Sequence, residues 1–270
     1  MMQAMAREKG FALLIVLFAL AMLALLGSTV LATARQDAQI ARNLREAAVL
    51  RAAAHGAVQQ AIFRVLDQSA QHWAADDTPR TIRIGDSLVI VRIANENDKV
   101  NPNIASVPLL RALLVQVGAD SVTAEREAEA IVAWRFASGV PGRPDATTAR
   151  YIAAGLAFGP SGAPFANLDE LGAVMGMTPA LLARLRPHLT VFTDDDPNMT
   201  TRDPFVAQAL AAISDTALGA RPAGPEVVSI TADAHGAGGS RFTAREIVRT
   251  NARPVGRRYD VLDYEQLHTD

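Results

Sequence analysis

Asp194-Asp195-Asp196-Pro197-Asn198 sets side-chain oxygens at alternate positions, the spacing with which a calcium loop begins. An EF-hand needs Gly at the sixth position for its turn and a bidentate Glu at the twelfth. This chain has Met199 and Phe205 there, so that reading fails, and a solvated acidic loop is the alternative. Val174-Met175-Gly176-Met177, between two apolar runs, looks like a helix-hairpin-helix turn, whose backbone N–H groups can hold a DNA phosphate. The surrounding stretch 96–215 carries nine Lys/Arg against fourteen Asp/Glu, the wrong sign for a phosphate ligand. Asp169-Glu170 reads as a charge pair in the first turn of a helix rather than an acid/base dyad. The five histidines, His55, His72, His188, His235 and His268, form no metal-spaced pair. Cysteine is absent, which removes disulfides, thiolate metal sites and a thiol nucleophile together. No Gly-x-Ser-x-Gly, phosphate loop or His-Glu-x-x-His occurs. No catalytic constellation emerges from these residues.

The remaining chemistry is chemistry done to the chain. Lys9-Gly10 abuts Phe11, and from Phe11 to Ala34 no residue is charged. A short, charged segment that ends in Gly, cut before a Phe, resembles a type IV prepilin leader. In such proteins the mature chain keeps the whole hydrophobic helix. Helical and continuous, residues 11–34 span about 36 Å, enough for a hydrocarbon core of about 30 Å. Arg7 and Lys9 ahead of it orient the short N-terminus to the cytoplasm. A cleaved secretory signal is the competing reading, because Ala32-Thr33-Ala34 fits a small-x-small site. Against it, the apolar run is longer than the usual h-region of about 7–15 residues. The helical pattern also continues past it. Ile40, Leu44, Ala47, Leu50, Ala54, Val58, Ala61 and Val65 recur at steps of three and four, and no proline occurs before Pro79. One helix from about Phe11 to about Asp67 is expected, apolar all round in its first half and one-sided in its second.

Beyond it, Thr81–Ile84 and Leu88–Ile93 flank Gly85-Asp86-Ser87 as a β-hairpin. Glu226–Ala234, Arg241–Arg249 and Tyr259–Tyr264 supply strands at the far end of the chain. The middle reads as helical. Pro108–Val117 has Ser106 as a cap, and Thr123–Ala137 starts on a Thr with Glu125, Glu127 and Glu129 placed for the helix dipole. Leu168–Val174 and Pro179–Leu185 form a pair, and Pro204–Ile213 follows Asp203. Val140–Arg150 reads as a Pro- and Gly-rich loop. The fold class expected is α+β. A long transmembrane and amphipathic helix leads into a pilin-like α/β domain with a small antiparallel sheet, interrupted by an inserted all-α domain. The boundaries are 1–10 for the leader, 11–34 for the transmembrane helix and 35–73 for its continuation. Residues 74–95 and 216–270 form the α/β domain and 96–215 the insertion.

Together these features resemble the minor pseudopilin K family of type II secretion, also called general secretion pathway protein K. The residues that carry the resemblance are Arg7–Gly10, the helix from Phe11, Asn95–Asn103, Phe165–Leu171 with Gly176-Met177, and Arg258–Leu262. A second Asn-rich motif of the family survives only as Asn198-Met199-Thr200-Thr201. The resemblance implies a structural tip subunit of a periplasmic pseudopilus, not an enzyme, anchored once in the bacterial inner membrane. It implies cleavage and N-methylation at Gly10 and Phe11 by prepilin peptidase. Its expected partners are the other minor pseudopilins of a heteromeric tip complex and the inner-membrane secretion machinery, with no nucleic acid. It also admits calcium in the inserted domain, for which Asp194, Asp195, Asp196 and Asn198 are the candidate ligands. Most pilin-like subunits carry Glu five residues into the mature chain, where it meets the N-terminal amine of an adjacent subunit. Ile15 stands there instead. A carboxylate in lipid is costly unless paired, and a subunit that starts a filament has no earlier neighbour to pair with. Two rivals stay open at this point: another single-pass periplasmic protein, including an enzyme whose site is not legible, and a nucleic-acid-binding module.

Overall fold

The computed structural model describes residues 4–136, 146–213, 225–236, 239–250 and 258–267; within these, no side chain is described at 4–10, 12, 27, 29–34, 146 and 267. Helix α1, Ala4–Val65, is unbroken over 62 residues, a rod about 93 Å long. Its first part has no proline and its later part is rich in Ala, so nothing in the chain interrupts the backbone ladder.

Five antiparallel strands, β1 (Arg80–Ile84), β2 (Ser87–Asn95), β3 (Val227–His235), β4 (Arg241–Thr250) and β5 (Tyr259–Leu267), lie in chain order across one sheet. The β1–β2 connection is a two-residue turn at Gly85-Asp86, and Gly85 takes φ +57°, which glycine adopts without a Cβ clash. Leu88 pairs with His235, and Asn95 with Val228. Both hairpin turns therefore lie at one end of the sheet. The chain leaves β2 and returns into β3 at the other, the head end.

One face of the sheet packs on α1. Leu50, Ala54, Val58, Ala61 and Val65 are buried, and Val89, Val91, Ile93, Ile230 and Ala232 oppose them. The expected apolar stripe of α1 is thus real but divided. From Leu50 upward it is core, whereas Ile40, Leu44 and Ala47, on the same side of the helix, are exposed.

The helical segment has a core of its own. Helices α2 (Val107–Gln116), α3 (Ser121–Phe136), α4 (Ala146–Ala153), α5 (Pro179–Leu185) and α6 (Pro204–Ile213) gather around Leu110, Leu113, Ile131, Leu171, Leu185 and Leu210. Ser106 caps α2 and Thr178 caps α5 through their hydroxyls, and Asp203 accepts from the first N–H groups of α6.

Four readings of this region are corrected. The acceptor at the start of α3 is Asp120, not Thr123, because its Oδ1 takes the N–H of both Val122 and Thr123. Glu127, expected to serve the helix dipole, instead points into the core and is fully buried. Leu168–Ala173 is a 3-10 segment, capped by Asn167. Helix α4 begins at Ala146, inside the stretch expected to be loop; the rest of that stretch lies outside the described residues.

Candidate assembly interface

Below Leu50, Glu46 is the one described side chain of α1 that is not exposed. Every described side chain from Phe11 to Ser28 is exposed, Phe11 at 69% and Ile15 at 53%. From Arg35 to Val49 all are exposed except Glu46, which is half-buried. Among the described residues no helix is long and apolar enough to cross a membrane. The expected span 11–34 includes Ala12, Gly27 and residues 29–34, whose side chains lie outside the described set, as does that of Gly10 beside the expected cleavage point.

The sheet is held on the upper part of α1 by packing and by polar pins. The helix contributes Ala53, Ala54, Ala57 and Ala61 to the contact, a low-relief surface that lets the strands approach closely. Polar contacts then fix where the sheet sits. Glu46 accepts from Ser240 in the β3–β4 turn. Arg51, His55 and Gln59, one turn apart, meet Gln266, Tyr264 and Tyr259 of β5. The His55 ring stacks on Tyr264 with centroids 5.1 Å apart, and its Nε2 lies 2.9 Å from the Tyr264 hydroxyl. Tyr259 and Tyr264 are an odd number of residues apart. They share the helix-facing side because the β4–β5 register shifts between Ile247 and Val248. Beneath this row Glu246 is buried, and burial pushes its carboxyl above the usual range, with His55 pulling the other way.

A second site was invisible in the sequence as chemistry. The Asn-rich segment 95–103 stitches the helices to the sheet. Asn97 Oδ1 accepts from the Val227 N–H at 2.7 Å, Asn101 Nδ2 donates to the Thr193 carbonyl at 2.6 Å, and Asn103 exchanges two bonds with the Phe165 backbone. At its centre Glu96 is 1% exposed, with Lys99 Nζ at 2.7 Å and Arg245 at 3.4 Å. Burial pushes its carboxyl up. The charge and hydrogen bond of Lys99, with bonds from Thr190 and Ser229, outweigh that and hold it below the usual glutamate range. Across the same junction Arg202 donates to the Ala75 carbonyl, and Arg249 reaches the Phe192 carbonyl and Asp194. The available signal was the density of short polar residues around a lone Glu, but no spacing rule identifies such a cluster.

The acidic run belongs to this junction. Asp194 pairs with Arg249 at 3.2 Å, the charge of Asp196 acts on Arg135, and Asn198 Oδ1 accepts from the Thr200 N–H and hydroxyl. Among the described residues no three His, Asp or Glu side chains group where they could hold a metal ion.

The hairpin-like turn is equally occupied. The Met175 N–H donates to the Tyr151 hydroxyl at 2.9 Å, and the Met177 N–H to the Val174 carbonyl. Gly176, at φ +100°, lies flat on the buried Glu127 carboxyl: a Cβ there would sit 2.8 Å from its Cδ. Two turn amides are spent internally and an acid lies against the glycine, the opposite of a phosphate cradle.

A long helix laid across one face of an antiparallel sheet, its lower part unpaired, is the build of a pilin-like subunit, and here a helical module is inserted between β2 and β3. Residues 87–194 match the family described as type II secretion system (T2SS), protein K. The match covers β2 and most of the helical module, and over that part the chain is similar to the protein K family of type II secretion. A solved structure, the GspK-GspI-GspJ complex from enterotoxigenic Escherichia coli type 2 secretion system, contains a chain of the same fold. It is 18% identical, with a TM-score of 0.61 over 87% of this chain and 100% of that one. No curated protein matches the chain.

Proposed function

We propose that this chain is a minor pseudopilin and that it caps the pseudopilus tip. The observation that carries the reading is the position of the helical module. It joins the body at the head end, where α1 finishes, and the unpaired length of α1 extends from the opposite end. Pilin-like subunits stack through their helices. A module of this size on the head fills the space that a following subunit would need. Ile15 agrees, because it supplies no carboxylate to recruit the amine of an adjacent subunit. Residues 1–10 act as leader, 11–34 as the inner-membrane anchor, 35–73 as the periplasmic continuation, and 96–215 as the inserted module between 74–95 and 216–270. Prepilin peptidase cuts before Phe11, and the new terminus is N-methylated. The partners are other minor pseudopilins, which meet the Ile40–Leu44–Ala47 seam, and the inner-membrane secretion machinery. The solved complex that holds GspK with GspI and GspJ supports a heteromeric tip. Immunogold labelling of overproduced pseudopili tests the proposal. Label at one end only is expected; label spaced along the shaft would overturn it.

A further inference from the structure

The side of α1 away from the sheet carries a second pattern. Arg35, Ala38, Arg42, Arg45, Val49 and Ala52 follow one another at steps of three, four, three, four and three, and all six are exposed. That alternation is the seven-residue repeat with which one helix lies along another. The stripe is narrow and its apolar members are small, so a neighbouring backbone can come close. Its three arginines make no ion pair with a described residue. Of the two acids in the same stretch, Asp37 projects from another side of the helix, and Glu46 is held by Ser240.

We propose that this stripe is a second assembly surface, which receives a partner helix bearing carboxylates at matching three- and four-residue steps. The inference rests on the reading of the chain as an assembling pseudopilin and adds a second contact face. The apolar seam of Ile40, Leu44 and Ala47 takes one helix, and the arginine stripe takes another of opposite charge. The partner is a helix rather than the membrane surface on grounds of distance. Arg42 and Arg45 lie seven and ten residues beyond Arg35, about 10 and 15 Å along the axis. Headgroups at the level of Arg35 are screened beyond about 8 Å at physiological salt. Lipid could engage only the first arginine, whereas a helix alongside α1 engages all three. Guanidinium groups suit the task because each can take a carboxylate through two parallel hydrogen bonds.

The test uses the full-length chain in membranes, co-expressed with the other pseudopilins of its system. A photoreactive residue replaces Ala38 on the stripe or Leu44 on the seam. The proposal expects protein crosslinks from both positions, with different chains captured. In the triple variant Arg35→Glu, Arg42→Glu, Arg45→Glu the Ala38 crosslink should fall by about tenfold, while the Leu44 crosslink persists and shows that the variant still folds and assembles. The triple Arg→Lys variant should retain the Ala38 product. Attachment of Ala38 to lipid alone, or an Ala38 protein crosslink unchanged by charge reversal, would overturn the second surface and leave the first intact. Absence of protein crosslinks from both positions in the otherwise unaltered chain would overturn the assembly reading with it.

Discussion

Gly176→Ala offers a quantitative test of how the helical module is packed. Two effects act together. The residue sits at φ +100°, where a side chain costs at least about 1–2 kcal/mol. The added Cβ would also lie 2.8 Å from Glu127 Cδ and 2.9 Å from its Oε2, and nearer still to Oε1. Ordinary contact would require the carboxyl to retreat by about 1 Å, and crowding of that kind in a packed interior costs about 1–3 kcal/mol. The expected destabilisation is roughly 2–5 kcal/mol. The two parts can be separated, because Glu127→Ala removes the obstacle and leaves the backbone strain. The double variant should recover about 1–3 kcal/mol relative to additive behaviour. Trp134 lies inside the helical core and Trp73 against the sheet core, so a Trp73→Phe background leaves a fluorescence signal that reports the module alone. Urea titration of the detergent-solubilised chain would supply all four stabilities. Strict additivity of Gly176→Ala and Glu127→Ala would refute the contact, and a single-variant loss under about 1 kcal/mol would refute the strain argument as well.

Three further outcomes can be measured, two from this geometry and one from the sequence around Gly10. Glu96→Ala should cost about 3–5 kcal/mol, because it strands Lys99 and Arg245 at a buried junction; a loss below about 1 kcal/mol in urea titration would show that Glu96 does not hold the module to the sheet. Burial raises the Glu127 carboxyl in the folded chain, so the stability it contributes is complete below the ordinary glutamate range and lost as pH rises through its raised folded value. Glu127→Gln should therefore reduce that loss when melting of the module is compared across this range, and an unchanged pH profile would contradict the assignment. Gly10→Leu should block removal of the leader, so that intact mass shows residues 1–10 retained; mature protein that still begins at Phe11 in that variant would remove the basis for the leader.

Periodicity made the larger elements legible. The run of small and apolar residues at steps of three and four gave α1, and alternation gave the strands, with β2 and β3 within a few residues of their observed ends. What periodicity could not give was the point at which a stripe changes partner. Ile40 and Val58 look alike in sequence, yet the first is exposed and the second buried. The difference comes from the β3–β4 turn, which is pinned by Glu46 and ends the sheet just there. Glu127 failed for a related reason. An acid early in a helix suits the dipole whichever way it points, and only the glycine at Gly176 shows that space was left for it inside. The acidic run at Asp194 was read for its oxygens alone, although its meaning depends on Arg249, which comes to it from a strand far along the chain.

The asymmetry of α1 has a consequence for assembly. A helix that was one-sided throughout would bury its stripe on its own sheet and leave no adhesive length. Here about 24 Å of helix, from Leu50 to Val65, holds the body, and the polar row of Arg51, His55 and Gln59 prevents the sheet from sliding over the alanines. Because that register is fixed, the level at which Ile40 and Leu44 become available is fixed too, and so is their distance from the head. The helical module is joined to the head through Glu96 and the asparagines of segment 95–103 rather than through a loose linker. A partner that binds low on the helix therefore meets a body of set height with the module already seated above it. The proposed capping then needs no conformational change: a subunit whose adhesive surface lies mainly below its bulk can join neighbours from beneath and offers no equivalent place above.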